Sequence, residues 1–484
     1  MLALDALDRS LIDRLCTAGQ LPNLADFRAN GVSLGVESDG EVLHGSVWPT
    51  FASGTGPGSH GLYFWTQWLA EEQRHVRNSH AAFAFEPFWA AFPEQGKRAT
   101  IIDLPYVPLI QGPGMRALLG WGVHDEVERA SHPASFIREV ERRVGRNPLS
   151  FDTLEPYSGP EKLKMARSLR DGVQMRGRLV AQLAAEDEWD LMLVNFGEFH
   201  KAGHYLAGPE QLSKKTSNQT ATAAVVRALD QALPAILSAA GPRTDVFIFA
   251  LHGMQEQSDF APFGPQILDL LAGRTPLDPD ANPDLLRRLR NRIPARLHRE
   301  VWRRLPAKVR AARQGQLSMA GADRSEPIFN VAHDTSPGFR LNMRGRELRG
   351  ELDVTSGAAL LSELETLVLS FRVADGQQAF SEVIRPALRW PGARAGRLPD
   401  ALAQPARTSG PTPTLARSEG LALGSIRVAA RNGAHTGHGF CFVRPGGPFA
   451  TSRNAVDARD FAPSVLQLLG ASAPGSLEGT SFVA

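Results

Sequence analysis

Two nearly continuous apolar runs, each followed at once by histidine, constrain the fold of this chain more than any other feature. The run DLMLVNF at 190–196 leads into a segment with two histidines, and TDVFIFALHG at 244–253 ends with its own histidine and glycine. Apolar runs without alternation are typical of strands that are buried on both faces of a parallel sheet. Functional side chains in open α/β sheets collect at the carboxyl ends of such strands. The sequence therefore predicts an α/β fold with a site at that edge of the sheet.

Residues 1–130 alternate short apolar runs with helical patterns in the same way. LAL opens the chain, LIDRLCTAGQLPNLADFRANG has leucine and isoleucine at roughly helical spacing, and ATIIDLPYV is a further apolar run. This alternation favours a largely parallel central sheet flanked by helices. A chain of 484 residues suits one large α/β domain with insertions, or two domains.

A proline-punctuated, arginine-rich stretch interrupts this pattern, and it includes LLRRLRNRIPARLHREVWRRLPAKVRAARQ. We predict the first part of the core at 1–259, an inserted helical cap at 260–325, and completion of the core at 326–484. We interpret the arginines as solvated helix faces whose aliphatic stems cover apolar surface. An anion-binding or membrane-touching face is the alternative.

Charge and cysteine content exclude several classes of protein. The chain has 53 basic and 51 acidic residues, a net charge of +2, which gives no reason to expect a nucleic acid or an anionic membrane as the main partner. Cys16 and Cys441 lie far apart and match no zinc-binding spacing, which indicates free thiols.

Neither a secretory signal nor a transmembrane anchor is apparent, since the sequence has no apolar run of about 18 residues. A cytoplasmic protein is therefore expected. The apolar segment before Asp5 is short for a core strand, so a truncated start that hides an export signal stays open.

Three segments carry histidines that are candidates for metal ligands. His200 and His204 are four residues apart, a spacing that puts two imidazoles on one face of a helical turn. His252 ends the second apolar run, and His435 and His438 lie among glycines that allow close backbone approach. Chance surface histidines, a structural histidine and a glycine-rich turn are the respective alternatives.

A possible phosphate-binding helix start lies in HGSVWPTFASGTGPGSHG at 44–61. Ser46 could cap a helix that has Pro49 in its first turn. A hydroxyl there would face free N–H groups at the positive end of the helix, which favours a bound phosphate. A simple capping serine is the alternative.

Taken in order, these elements resemble the alkaline phosphatase superfamily, especially its type I phosphodiesterase and nucleotide pyrophosphatase branch. The matching features are Asp5 after the first strand, SGTGPGSHG (53–61), HKAGH (200–204), LHG (251–253) and AHTGHG (434–439). The resemblance implies an alkaline-phosphatase-like fold and a hydrolase of phosphoric esters. It also implies a small phosphorylated substrate and divalent metal, with zinc expected.

Carried over, the resemblance implies a first metal site formed by His200, His204 and His435. A second site would combine Asp5, His252 and the nucleophile. The outer positions Glu198 and His438 would orient ligands, and Glu198 could also restore a charge to the site.

The second site and the nucleophile depart from the family pattern. His200 and Leu251 stand where the family has aspartates, and leucine cannot ligate, so a weak or empty second site is the competing outcome. Ser46 is the preferred nucleophile, attacking phosphorus to give a phospho-enzyme that is then hydrolysed. An ungapped count from the family pattern falls instead on His44, and Thr50 is a third candidate.

Other functions fit less well. The C/S-x-P-x-R pattern of a sulfatase is absent, and a membrane phosphoethanolamine or phosphoglycerol transferase would need an anchor. The alternative of a different class is a divergent, weakly active or inactive member that binds metal and recognises a ligand or partner.

Overall fold

The computed structural model describes residues 1–77, 85–123, 129–149, 157–186, 189–206, 221–256, 260–276, 301, 326–406, 415–417, 422–423 and 431–484. The described strands are β1 (Leu2–Ala3), β2 (Val32–Glu37), β3 (Thr66–Leu69), β4 (Arg74–Arg77), β5 (Ala99–Ile102), β6 (Met115–Leu119), β7 (Ala130–His132), β8 (Leu191–Asn195), β9 (Val246–Ala250), β10 (Met254–Glu256), β11 (Ile328–Val331), β12 (Gly338–Leu341), β13 (Phe371–Arg372), β14 (Phe380–Ile384), β15 (Ala401–Pro405), β16 (Leu415–Arg417), β17 (Ala422–Leu423), β18 (Gly433–His435), β19 (His438–Arg444) and β20 (Ala455–Asp457).

The described α-helices are α1 (Arg9–Thr17), α2 (Pro22–Ala29), α3 (Val47–Ser53), α4 (Pro57–His60), α5 (Phe136–Val144), α6 (Gly159–Glu186), α7 (Glu198–Tyr205), α8 (Ala221–Ala240), α9 (Gly264–Leu271), α10 (Val354–Leu369), α11 (Pro386–Arg389) and α12 (Phe461–Leu469). Short 3-10 helices cover His44–Ser46, Ala261–Phe263, Ala395–Arg397 and Ala458–Asp460.

A nine-stranded sheet forms the centre of the fold, in the order β20-β2-β19-β9-β1-β8-β5-β6-β7. Five of its eight neighbouring pairs are parallel, while β19 is antiparallel to both of its neighbours and β7 is antiparallel to β6. The predicted α/β fold with a largely parallel central sheet is confirmed.

Strand β1 lies between β8 and β9, the two apolar runs of the sequence. Leu2 pairs with Val194 on one side and with Ile248 on the other, both in parallel. All five residues of β9 and four of the five in β8 are buried, as continuous apolar strands between two helical layers should be. Because these three neighbours run in the same direction, the segments that follow them meet at one edge of the sheet.

Apolar clusters cover both faces of the sheet, and alternate residues of β9 contribute to each. Ile248 packs with side chains from α1, α2, α5, α6 and α8 on one face. Phe247 and Phe249 pack with side chains from α3 and α12 on the other. Each face of the strand is therefore covered by helices from distant parts of the chain.

Within the described residues, α8 is long and apolar enough to cross a membrane, and half of its most apolar window is buried. The helix packs along α6. Its Asp230 carboxylate accepts hydrogen bonds from the Leu24 backbone N–H (2.8 Å) and from Asn23 Nδ2 (3.0 Å). These contacts are those of a helix in the core of this fold.

A second, four-stranded antiparallel sheet has the order β11-β12-β15-β14 and is covered by α9 and α10. Residues 260–276, the described start of the predicted cap, belong to this unit, since Phe260 and Ile267 pack with Phe339 of β12. The remainder of the predicted cap, apart from residue 301, lies outside the described residues. Among the described residues, the chain rejoins the central sheet at β19, so 326–406 form a separate layer within the predicted core completion.

Candidate metal centre and active-site cavity

Two residues separate the end of β8 from the start of helix α7, which is buried along its whole length. The helical spacing brings His200 Nε2 to 2.9 Å from His204 Nε2. His204 Nδ1 lies 2.6 Å from the carbonyl oxygen of Gly433, to which it donates a hydrogen bond. That bond leaves the lone pair of a neutral His204 ring on Nε2, the nitrogen that faces the other histidines.

His435, the last residue of β18, contributes a further imidazole to the same cluster. Strand β18 pairs antiparallel with β10, and Met254 lies opposite His435. His435 Nε2 is 3.2 Å from His204 Nε2, and its ring centroid is 4.7 Å from that of His252 and 4.8 Å from that of His200. Its buried Nδ1 has no hydrogen-bond partner among the described residues. Three separate segments thus bring four imidazoles together.

The approach of β18 to α7 depends on glycine. A Cβ atom at position 433 would lie 2.5 Å from the carbonyl oxygen of Gly203. We expect Gly433→Ala to push β18 away from α7, separate His435 from His204 and lower metal affinity about 10- to 100-fold. Competition with a chromophoric chelator measures this. Gly447→Ala, whose new Cβ would meet no atom within 4 Å, is the control; equal affinities of the two variants would contradict the prediction.

Asp5 supplies the carboxylate of the cluster. Its Oδ1 is 3.5 Å from His200 Nδ1 and 3.8 Å from His252 Nε2. Trp48 Nε1 donates to Oδ1 at 3.3 Å, and Asn195 Nδ2 donates to Oδ2 at 3.5 Å. Asp5 is buried, so these donors compensate for the lost hydration of its charge and fix its orientation.

The donor set fits a divalent transition ion. His200, His252 and His435 each offer one ligand atom within 4.8 Å of the others, and all three are buried. Nitrogens around one tetrahedral zinc are about 3.3 Å apart, close to the separations between His204 and its two neighbours. Burial, followed by the surrounding imidazoles, holds the pKa of His435 well below its usual value. The ring is therefore neutral, the form that ligates a metal.

The family's second metal position keeps few ligands here. Leu251 is buried in the apolar cluster beneath the sheet and offers no donor. The carboxylates on the described wall of the cavity are those of Asp5 and Asp334, and Asp334 is ion-paired with Arg431 at 3.1 Å. A second ion would therefore rely on Asp5 and His252.

The predicted hydroxyl nucleophiles, Ser46 and Thr50, do not line the cavity that contains the histidines. Ser46 is fully buried and its hydroxyl donates to the carbonyl oxygen of Leu43 at 2.6 Å, so it makes no capping bond to α3. Thr50 Oγ1 shares a 3.0 Å hydrogen bond with His60 Nε2. Neither residue is on the described wall of the cavity. Ser46 does lie at the N-cap of α3, with Pro49 in the first turn as expected, but its hydroxyl faces its own backbone instead of the cavity.

His60 makes the fold sensitive to acid. Burial lowers the pKa of His60 to about 3, whereas an unfolded chain protonates this ring near 6.5. The unfolded state then binds the extra proton, so stability is present above about pH 6.5 and is lost as pH falls toward 3, by about 1.4 kcal/mol per unit. Urea unfolding of wild type and His60→Gln at a series of pH values tests this. If the free energy of unfolding of His60→Gln depended on pH as steeply as that of wild type, groups other than His60 would cause the acid sensitivity.

His44 occupies the position in the cavity that a hydroxyl was expected to fill. The 3-10 helix His44–Ser46 runs directly into α3, so the helical segment begins at His44. Its ring centroid is 5.3 Å from that of His435. Its Nε2 is 4.0 Å from Oδ2 of Asp334. Burial raises the pKa of Asp334, but His44 and Arg431 outweigh it and hold that pKa below its usual value.

Glu198 and His438, the predicted outer residues, lie away from the cavity. The Glu198 carboxylate accepts hydrogen bonds from Arg176 Nε (3.3 Å) and Asn147 Nδ2 (3.2 Å). Glu198 therefore anchors the first turn of α7 and restores no charge to the metal centre. His438 is exposed on β19 and pairs with Glu37 at 2.9 Å.

Sequence reasoning missed six residues of the described cavity wall: Trp48, Trp65, Pro105, Tyr106, Asp334 and Arg431. Tyr106 had a usable signal, because it follows β5 at the same edge of the sheet as Asp5. Its φ of 55° is unusual for a residue with a side chain and is typical of strained positions at functional sites. Asp334 and Arg431 lie in segments without regular periodicity, and nothing in the sequence pairs them.

The comparison with protein families matches the description "Type I phosphodiesterase / nucleotide pyrophosphatase" to residues 1–329. This chain belongs to that family. The matched region includes Asp5, His44, His200, His204 and His252. The prediction of a phosphoric ester hydrolase is thereby confirmed at the level of the family. A search of the curated proteins gave no significant match.

Solved structures share the fold of this family member at low sequence identity. Phosphonoacetate hydrolase from Sinorhizobium meliloti 1021, in complex with phosphonoformate, is 14% identical, with a TM-score of 0.52 over 97% of this chain and 94% of that one. Murine ectonucleotide pyrophosphatase / phosphodiesterase 5, inactive and in complex with AMP, is 11% identical, with a TM-score of 0.50 over 100% and 98%. The alkaline phosphatase PafA is 12% identical, with a TM-score of 0.57 over 99% and 97%. The predicted alkaline-phosphatase-like fold is confirmed.

Proposed function

We propose that this chain is a divalent-metal-dependent hydrolase of small phosphoric esters. The observation that carries the proposal is the convergence of His200, His204, His252 and His435 beside Asp5, at the carboxyl edge of the sheet in a phosphodiesterase family member. Four imidazoles with one carboxylate suit zinc better than magnesium or calcium, which prefer oxygen ligands.

The bound ion would supply positive charge next to the phosphoryl oxygens. The protein adds further groups to the same cavity. The helical segment that starts at His44 directs its positive end toward the site, where an anion is stabilised. Trp48 and Asn195 hold Asp5 in one orientation, so the ligand does not need to reorganise when substrate binds.

The cavity wall favours an ester with an apolar or aromatic substituent. Trp65 and Tyr106 line it beside the histidines, and flat rings can stack against a planar leaving group. AMP and phosphonoformate, the ligands held by two structural neighbours, are small phosphorylated or phosphonylated molecules. An aryl or nucleotide phosphodiester is therefore the substrate class that we propose.

Metal removal tests this function directly. We expect purified protein to contain a transition metal by inductively coupled plasma mass spectrometry and to hydrolyse bis-p-nitrophenyl phosphate. Dialysis against a chelator should abolish turnover, and titration with zinc, manganese or cobalt should restore it. Protein that neither binds metal nor turns over any aryl or nucleotide phosphodiester would exclude the proposal.

A divergent member that binds a ligand without turnover is the second candidate. Leu251 in a ligand position and the buried hydroxyl of Ser46 favour it. Such a protein would bind metal and AMP in calorimetry but hydrolyse no phosphodiester. The metal-removal experiment separates the two candidates by turnover.

A further inference from the structure

Residue 44, the first residue of the helical segment, determines which chemical group is available in the cavity as a nucleophile. The backbone at 44–46 forms a 3-10 turn that continues as α3, which places residue 44 on the cavity wall and residue 46 inside the turn. The Ser46 hydroxyl is hydrogen-bonded to Leu43 and the Thr50 hydroxyl to His60, and both residues are buried. An imidazole therefore stands where a hydroxyl would be needed.

His44 also has a partner that can orient it. Asp334 Oδ2 is 4.0 Å from His44 Nε2, and Asp334 Oδ1 accepts a hydrogen bond from Arg431 at 3.1 Å. The rings of Phe64 and His333 pack against the His44 ring at centroid distances of 5.2 and 6.0 Å. At 4.0 Å this is a charge contact rather than a hydrogen bond, and the nearby negative charge favours the proton of a neutral ring on Nε2 and the lone pair on Nδ1.

The position of His44 also distinguishes it from the metal ligands. The group of ligand atoms within 4.8 Å of one another comes from His200, His252 and His435. His44 lies on the adjoining wall, between His435 and Asp334, and also borders a neighbouring cavity that contains Glu41. The His44 imidazole thus lies next to the candidate metal ligands, and the carboxylate nearest to it is that of Asp334.

We propose that His44 is the nucleophile of the phosphoric ester hydrolysis, with Asp334 as its positioning residue. The inference rests on the proposed function and names its covalent step. In this reaction the phosphoryl group passes through a phosphoramidate bond to His44 rather than through a serine or threonine ester.

The proposed reaction has two steps, attack by His44 and hydrolysis by water. The His44 lone pair forms a P–N bond while the P–O bond to the leaving group breaks, and the leaving oxygen keeps the bonding pair. Asp334 compensates the positive charge that develops on the ring. Water then attacks phosphorus, a new P–O bond forms, the P–N pair returns to His44, and the proton from water is released to solvent.

The chemical stability of a trapped adduct identifies the nucleophile. Enzyme mixed with bis-p-nitrophenyl phosphate is quenched rapidly in alkali, digested and analysed by mass spectrometry. A phosphoramidate on histidine survives alkali and is lost in acid, whereas an ester on serine behaves in the opposite way and an ester on tyrosine survives both. We expect an alkali-stable, acid-labile arylphosphoryl group on the peptide that contains residue 44.

Matched variants separate a nucleophile from other roles. His44→Ala should lose the adduct and at least about a hundredfold in turnover while keeping the wild-type metal content, and added imidazole should partly restore turnover. Ser46→Ala should keep both adduct and turnover. Asp334→Asn should lower kcat about a hundredfold with little change in KM or metal content.

Several outcomes would overturn the inference while leaving the hydrolase intact. These are an adduct on Ser46 or Tyr106, loss of bound metal in His44→Ala, or hydrolysis by wild type with neither an adduct nor rescue by imidazole. Wild-type protein that shows neither hydrolysis nor an adduct would remove the proposed function as well.

Discussion

Replacing His200 with alanine is expected to remove most of the bound metal and to lower phosphodiester turnover about a thousandfold, or about 4 kcal/mol of transition-state stabilisation. His200 adjoins three other members of the centre: its Nε2 is 2.9 Å from His204 Nε2, its Nδ1 is 3.5 Å from Asp5 Oδ1, and its ring centroid is 4.8 Å from that of His435. Removing it deletes a ligand and opens a gap that water can enter. Metal content and turnover, measured on the same preparation, check both effects.

His438→Ala is the matched control for this substitution. His438 is the other histidine of the glycine-rich segment, but it is exposed and pairs with Glu37 on the surface. We expect the control to retain metal and turnover within about twofold, because exposed ion pairs contribute little. If His200→Ala behaved like the control, the imidazole centre would have no part in the reaction.

Replacing Arg176 with methionine is expected to cost about 3–5 kcal/mol of the free energy of unfolding, the largest stability effect that we predict. The guanidinium is fully buried, contacts Asp103 at 2.7 Å and Glu198 at 3.3 Å, and donates to the carbonyl oxygen of Gly122 at 2.8 Å. Methionine keeps much of the volume but leaves two carboxylates buried without a counter-charge. Urea unfolding followed by circular dichroism measures the loss.

The same substitution should also disturb the metal centre, because Asp103 and Glu198, the two acidic partners of Arg176, help to position its ligands. Glu198 opens α7, and Asn195 Nδ2 bridges the Asp103 carbonyl oxygen (3.1 Å) and the Asp5 carboxylate (3.5 Å). Arg143→Met is the control, since Arg143 pairs with Glu186 and Glu139 at the partly exposed ends of α5 and α6. A loss in Arg143→Met equal to that in Arg176→Met would contradict the assigned role of burial.

The convergence of the histidines could be predicted from the sequence for a simple geometric reason. Parallel strands that lie side by side end at one edge, so residues after β1, β8 and β9 had to meet once those strands were recognised. His435 joined this set through the resemblance to the family, since β18 is a short strand outside the central sheet. The fold and the imidazole centre therefore followed from strand ends and motif order.

The structure differs from the sequence-based expectations where a side chain has a partner distant in sequence, or where a single helical turn changes which side chain faces the cavity. The capping preferences of serine place Ser46 at the N-cap of α3, where it lies, but they cannot show that a 3-10 turn from His44 to Ser46 precedes that helix. Glu198 was expected near the metal because it lies two residues before His200, but its carboxylate pairs with Arg176 of the preceding helix, and no sequence periodicity joins those two residues. Asp334 lies in the separate four-stranded layer, which the sequence did not distinguish from the central sheet.

The position of β1 has a consequence for how this chain folds. A strand of two residues lies at the middle of the sheet and pairs only with segments that are very distant in sequence, at Val194 and Ile248. Such non-local pairings close large loops and slow the search for the native topology. Until β1 is inserted, β8 and β9 present apolar edges that can pair with other chains. We expect refolding yield to fall steeply with protein concentration and to improve when a chaperone shields those edges.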